Sequence, residues 1–302
     1  MKVMQIFMGV RKELWEFKKT LFWMPLLIGI FMIAAPLLKL LLLEGAQIRV
    51  VFEGVSNADN LNNVQGLTRL FLATIMGMFA PFILVGLVIQ LYYFTTCLFD
   101  ERRDQSIYFW RSLPVSDGQN IMVKLLTGAL VVPAIFMLAA TLVVFIFVLL
   151  GLLGCYILDV GYDISLWELW GNANIFSNMT SVWTSLLFYA LWMFPLFSWL
   201  MLASMFANKA PFLWAVLPVA LLLVIESYIT NYLKLDSHFL REALLEYFAL
   251  AKELIPNSIQ QVGTPKFILI SALWNKISLI GTALGIGFIY LTYWLRVNRS
   301  HL

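Results

Sequence analysis

Asp100-Glu101-Arg102-Arg103-Asp104-Gln105-Ser106-Ile107-Tyr108-Phe109-Trp110-Arg111-Ser112-Leu113-Pro114-Val115-Ser116-Asp117 is a charged island in an apolar chain. Its three arginines and four acids lie between two long apolar runs, roughly 70–99 and 121–157. A segment so placed must sit in water beside a membrane. The second half of the island differs from the first. Ile107, Tyr108, Trp110 and Leu113 predict a short amphipathic helix, too apolar for a solvated connector and too short to span a bilayer. One reading is an interfacial hairpin with its aromatics at the lipid headgroups and its arginines facing anionic lipid. The other is a docking helix whose apolar face and arginines fit a groove on a cytoplasmic protein. Pro114 ends the helix, because the residue before a proline is pushed out of helical geometry. Ser116 and Asp117 are candidate N-caps for the next helix, and Ser116 with Gln119 has capping-box spacing.

Composition agrees with a membrane location. Over 302 residues, 62% are apolar and 12% charged, and the mean hydropathy is +0.87, far from a soluble globular domain. The net charge of +3 is small, so the position of the charges carries the information. No basic patch with interleaved aromatics lies outside the membrane-flanking segments, which argues against nucleic-acid binding. Cys97 and Cys155 fall near opposite ends of the second and third apolar runs. A hydrocarbon core of about 30 Å would hold them beyond disulfide reach, so both read as packing residues.

The chain reads as an all-α integral membrane protein with six spans, about 22–43, 70–99, 122–157, 183–206, 212–233 and 272–295. Residues 1–21 place Val3, Phe7, Val10, Leu14, Phe17 and Leu21 at spacings of four, three, four, three and four, which predicts an amphipathic helix lying flat on the membrane surface. Lys12, Glu13, Glu16 and Lys19 are expected on its polar face, flanked by Arg11 and Lys18. The first span has no small-residue cleavage site behind it and reads as a retained anchor. Pro36 should kink it, and Lys39 can snorkel. The Asn-rich stretch 44–69 reads as an exposed loop on the far side.

The second span exceeds the ~20 residues a crossing needs, so it should tilt or protrude. Its lower end, Gln90-Leu91-Tyr92-Tyr93-Phe94-Thr95-Thr96, places polar groups in an apolar setting, with interhelical hydrogen bonding as the plainer reading and substrate contact as the other. The third span is too long for a simple crossing, and Pro133 is expected to bend it. Residues 158–181 hold Asp159, Asp163 and Glu168 but no Lys or Arg, with Trp167 and Trp170 at aromatic-belt positions, as expected of an outer loop. Asn178-Met179-Thr180 matches the glycosylation sequon.

Glu226, towards the outer end of the fifth span, is an intramembrane acid that should face a bundle interior, a partner or water. Lys276, near the start of the last span, is its candidate partner. Within 234–270, an extracytoplasmic segment, a helix over 239–255 is expected, capped by Asp236 or Ser237 and stopped before Pro256. Gly281, Gly285 and Gly287 should let the last span pack closely. With the amino terminus inside, twelve Lys and Arg residues fall on the cytoplasmic side and six on the outer side. The bias predicts that both termini are cytoplasmic.

Glu101-Arg102-Arg103-Asp104 followed by Ser112-Leu113-Pro114-Val115-Ser116 resembles the cytoplasmic loop after the second membrane helix of type 2 ABC exporter permeases. In that family a charged cluster leads into a similar turn, and the loop is the coupling element seated on the ATPase subunit. The resemblance also covers the layout in outline: amphipathic amino-terminal helix, six spans, and a long outer segment before the sixth. It implies a permease subunit in the plasma membrane of a bacterium, exporting its substrate as one of two copies that sit on two ATPase subunits, with ATP and Mg bound by those partners. It implies coupling contacts at Glu101, Arg102, Arg103, Asp104, Arg111, Leu113 and Pro114. Tyr92, Thr96 and Glu226 are candidates for the substrate path.

No Gly-x-x-x-x-Gly-Lys-Ser/Thr phosphate loop is present, so nucleotide hydrolysis by that device needs a separate chain. No His-Glu-x-x-His occurs, and His238 and His301 fall on opposite expected sides, which argues against a metal site built on both. No Gly-x-Ser-x-Gly elbow or close acid pair within one span equips the chain as an enzyme. The alternative is a self-sufficient secondary carrier or channel in which Glu226 and Lys276 are the working charges. Carriers often show inverted repeats, and residues 22–155 and 183–295 show no convincing similarity.

Overall fold

Helical segments as apolar as these must satisfy their backbone groups internally if they are to enter lipid, and the helix is one of the two structures that do so. The computed structural model describes residues 2–42, 71–105, 116–162, 167, 170–171, 174–232, 239–249 and 268–298. Among them every regular element is helical. Among the described residues six helices are long and apolar enough to cross a membrane: Lys18–Lys39, Phe71–Arg103, Asp117–Gly161, Ile175–Phe206, Pro211–Tyr232 and Leu279–Asn298. The chain is a multi-pass, all-helical membrane protein. In chain order the elements are α1 (Lys2–Glu16), α2 (Lys18–Leu41), α3 (Phe79–Arg103), α4 (Asp117–Leu126), a π turn (Thr127–Val131), α5 (Val132–Tyr162), α6 (Ile175–Phe206), α7 (Pro211–Tyr232), α8 (Phe239–Phe248), α9 (Ile268–Lys276) and α10 (Leu279–Asn298).

The described residues form two compact units. The first comprises Met1–Glu16, Val88–Val132 and Ser181–Leu302, and the second Phe17–Leu87 and Pro133–Thr180. In the second, Gly29 faces Val143, and Gly86 lies so close to Phe136 that an added Cβ would stand 3.1 Å from its ring. Trp170 packs over Gly151 and edge-on to Phe71, and its indole N–H donates to the Cys155 thiol at 3.0 Å. Trp170 is thus held by packing within this unit. In the first unit, α1 packs on α4 and the π turn, α10 packs on α4, and α8 packs on α7. Phe94 of α3 stacks on Phe197 of α6 at 4.5 Å, and both are fully buried.

Several expected boundaries move. The expected helix over 1–21 breaks at Phe17, and a new helix starts at Lys18. The second span continues past 99 through Arg103, so the first half of the charged island is the last turn of a helix. It closes at Gln105, whose φ of 54° is the left-handed conformation that ends helices. The third span starts at Asp117 and runs 45 residues, about 67 Å at 1.5 Å per residue. Its irregularity is a π turn at Thr127–Val131, just ahead of Pro133, which has no N–H to give the carbonyl of Ala129 in α register.

The fourth span starts at Ile175 and takes in the sequon, and Asn178 is buried within that helix, so it is not an exposed acceptor. The expected helix over 239–255 is observed over Phe239–Phe248, with Asp236, Ser237 and Pro256 outside the described residues. The last span breaks at Ile277 and Ser278, leaving Leu279–Asn298 to cross. Gly285 presses on Phe194 and Gly281 meets Pro195, whereas Gly287 faces open space.

Candidate functional site

Charges in an apolar chain must find each other. Among the described residues the largest such meeting is at the foot of the second and third spans. Ser116 caps α4 through a complete capping box with Gln119, as its spacing predicts. That fixes the first turn of α4, and one face of the helix then presents Asp117, Asn120 and Lys124 at helical spacing. Lys124 is 1% exposed. Its ammonium lies 2.9 Å from Oε1 of Glu13 on α1 and 3.2 Å from Oε1 of Glu101 on α3. Glu101 also accepts from Arg296 Nη1 of α10 at 3.0 Å and from the Asn120 amide at 3.3 Å. Arg296 uses its Nε on Asp117 at 2.7 Å, and the Tyr93 hydroxyl donates to Glu13 Oε2 at 2.9 Å. Lys12 lies 3.7 Å from both Glu13 and Glu101.

Three cations (Lys12, Lys124, Arg296) and four carboxylates (Glu13, Glu16, Glu101, Asp117) thus meet in one network across α1, α3, α4 and α10, Glu16 joining it through Lys12 at 3.3 Å. Beside it, between α1 and α4, opens a mainly apolar cleft of about 530 Å³ with Met4, Met8 and Val123 among its walls. Gly9 lets the helices approach: an added Cβ would stand 3.0 Å from Val123. At the edge of the network, Glu16 has its carboxyl pushed above the ordinary range by desolvation and then by the Glu13 charge, with Lys12 opposing.

The expected coupling residues divide. Glu101 turns inward and is 5% exposed, so it belongs to the network and not to an outer surface. Arg102 reaches the other way. Its Nη2 donates to the carbonyls of Ser204 and Ala207, capping the C-terminus of α6. The Ser204 hydroxyl in turn accepts from the backbone N–H groups of Leu98 and Phe99. Arg103 and Asp104 stay exposed and pair with each other, Arg103 also reaching Asp100. Arg111, Leu113 and Pro114, with the expected docking helix, lie outside the described residues.

The candidate path residues have local duties. Tyr92 is exposed, and the Thr95 and Thr96 hydroxyls both donate to the Tyr92 carbonyl of their own helix. The interhelical bonds of this stretch come from Gln90 and Tyr93. Glu226 accepts from the backbone N–H groups of Leu240 and Arg241 at 2.6 and 2.9 Å, capping α8 from α7, while Lys276 donates to the Glu246 carbonyl. Glu226 and Lys276 thus both bond to the backbone of α8.

Sequence reasoning passed over Lys124, Arg296 and Glu13 as working residues. The spacing that put Glu13 on the polar face of α1 holds for a helix alone on a surface, but here Glu13 itself is covered by a neighbouring helix. A lysine two residues inside an apolar run was the available signal, since a buried ammonium requires a counter-charge. The chain matches no protein-family model, no curated protein and no solved structure.

Proposed function

We propose that this chain is the transmembrane permease subunit of an ATP-binding cassette exporter, moving its substrate outward with energy from a separate ATPase subunit. One observation carries the reading beyond the sequence resemblance. The segment 106–115 joins the last turn of α3 to the first turn of α4: Glu101 in the former pairs with Arg296 of α10 and with Lys124 in the last turn of α4, which also pairs with Glu13 of α1, and Asp117 in the latter pairs with Arg296. A force applied to that loop is delivered to four helices together, as a coupling handle requires. On this reading α1 is an interfacial helix and 106–115 carries the coupling helix. Both termini are cytoplasmic, and the membrane is the bacterial inner membrane. Two copies of the chain pair on two ATPase subunits, which bind ATP and Mg.

The test uses charge reversal on the outward side only. Arg103→Glu with Arg111→Glu spares Arg102, which caps α6, and Glu101, which is buried. The tagged chain is purified from its own host in mild detergent and assayed for a copurifying Walker-type ATPase and its ATP hydrolysis. The expected result is a loss of at least about tenfold in copurified activity with the permease still inserted and monodisperse. ATPase recovered in undiminished ratio from the variant refutes the docking role.

A further inference from the structure

A second polar site lies one turn above the ionic network, in the apolar part of the first unit, and nothing in the coupling reading uses it. Gln90 of α3 is 1% exposed. Its Nε2 donates to the Gly128 carbonyl at 2.7 Å and lies 3.5 Å from that of Ala129. Its Oε1 accepts from the Tyr189 hydroxyl of α6 at 2.8 Å. The two carbonyls belong to the π turn Thr127–Val131. In this turn the Val132 N–H bonds to Thr127, five residues back, so in the same register the carbonyl of Gly128 falls to Pro133, which has no N–H to give. In an apolar surrounding such groups need a partner. Gln90 supplies it from another helix. Gly128 is what allows the approach, since a Cβ there would stand 2.5 Å from the Phe94 ring and 2.8 Å from that of Tyr93.

We propose that Thr127–Val131 is a switchable joint in the third span and that Gln90, oriented by Tyr189, is its latch. With the amide engaged, the turn holds its extra residue. With the amide withdrawn, the extra residue passes out of the turn, the segment tightens to α geometry, and the helix on one side rotates relative to the other by about 100° with a shift of about 1.5 Å. Lys124 pins the lower side in the ionic network only three residues before Thr127, so the rotation falls on the residues beyond. The proposal rests on this geometry alone and stands or falls separately from the ATPase partner.

The test places spin labels at exposed positions of one rod on either side of the joint, Met122→Cys and Leu138→Cys, in a background with Cys97→Ala and Cys155→Ala. Pulsed electron resonance then reads the distance between them in the detergent-solubilised full chain. The Gln90 protein should show one narrow distance. Gln90→Leu should add a second population displaced by a few ångström, as expected for a relative rotation of about 100°, and Tyr189→Phe, which keeps the packing, should add a smaller one. If Gln90→Leu does not fold, Tyr189→Phe decides alone. A single unchanged distance in a folded variant overturns the joint and leaves the π turn a fixed feature of the helix.

Discussion

Replacing Lys124 by Met keeps an unbranched, apolar side chain of similar length and removes only the ammonium. The two carboxylates it serves, Glu13 and Glu101, are 1% and 5% exposed, so water cannot take its place. Glu13 is left with the Tyr93 hydroxyl and with Lys12 at 3.7 Å, while Glu101 keeps Arg296 at 3.0 Å. Removing one partner of a buried ion pair costs about 3–5 kcal/mol, because the remaining charge stays desolvated. At about 2–4 °C per kcal/mol for a chain of this order of size, the midpoint should fall by roughly 6–20 °C. The assay is the fraction of monodisperse protein after stepwise heating in detergent. Glu13→Gln in the Lys124→Met background removes the stranded charge, and the double variant should recover at least about 1 kcal/mol against the sum of the singles. A midpoint within about a degree of the parent, or strict additivity in the cycle, refutes the claim that the network is a closed, desolvated unit.

The same heating assay reads the glycine contacts: Gly285→Ala should lower the midpoint, since its Cβ would meet Phe194 at 2.6 Å and overpacking costs about 1–3 kcal/mol, whereas Gly287→Ala faces open space and should be neutral or mildly stabilising. Ser116→Ala breaks the capping box and should cost about 1 kcal/mol, with Ser116→Asp restoring most of it, read by amide exchange over 117–120. Glu226→Gln weakens the cap on α8 and should raise amide exchange over 239–242 while leaving α7 unchanged. Reversing the exposed pair as Arg103→Glu with Asp104→Arg should change stability by less than about 0.5 kcal/mol, whereas Arg102→Ala strips the cap from α6 and should lower the heating midpoint measurably.

The spans were legible because crossing lipid demands a long apolar run, and that demand is written along the chain itself. Helix starts were legible where the capping residues are local, as at Ser116. What the sequence withheld depends on neighbours far along the chain. The helical end of α3 extends through Asp100–Arg103 because Glu101 is met by Lys124 and Arg296 and Arg102 by the end of α6, and no window around residue 101 contains those partners. Likewise Glu13, on the polar face of α1, is buried against α4, while Glu16 of the same face stays exposed. Gln90 and Tyr93 stood in a stretch already marked as polar within an apolar run. Only the packing distinguished them from Thr95 and Thr96, whose hydroxyls turn back to their own backbone.

Arg296 bears on how the protein is made. The span that carries it is the least apolar of the six, and its counter-charges, Glu101 and Asp117, are synthesised 195 and 179 residues earlier. During translation Lys124 and Glu13 can neutralise each other as soon as both are out of the ribosome, while the contacts of Glu101 and Asp117 with the guanidinium form last. Insertion of the last helix is then a docking step, in which an earlier bundle accepts a segment that lipid alone would hold poorly.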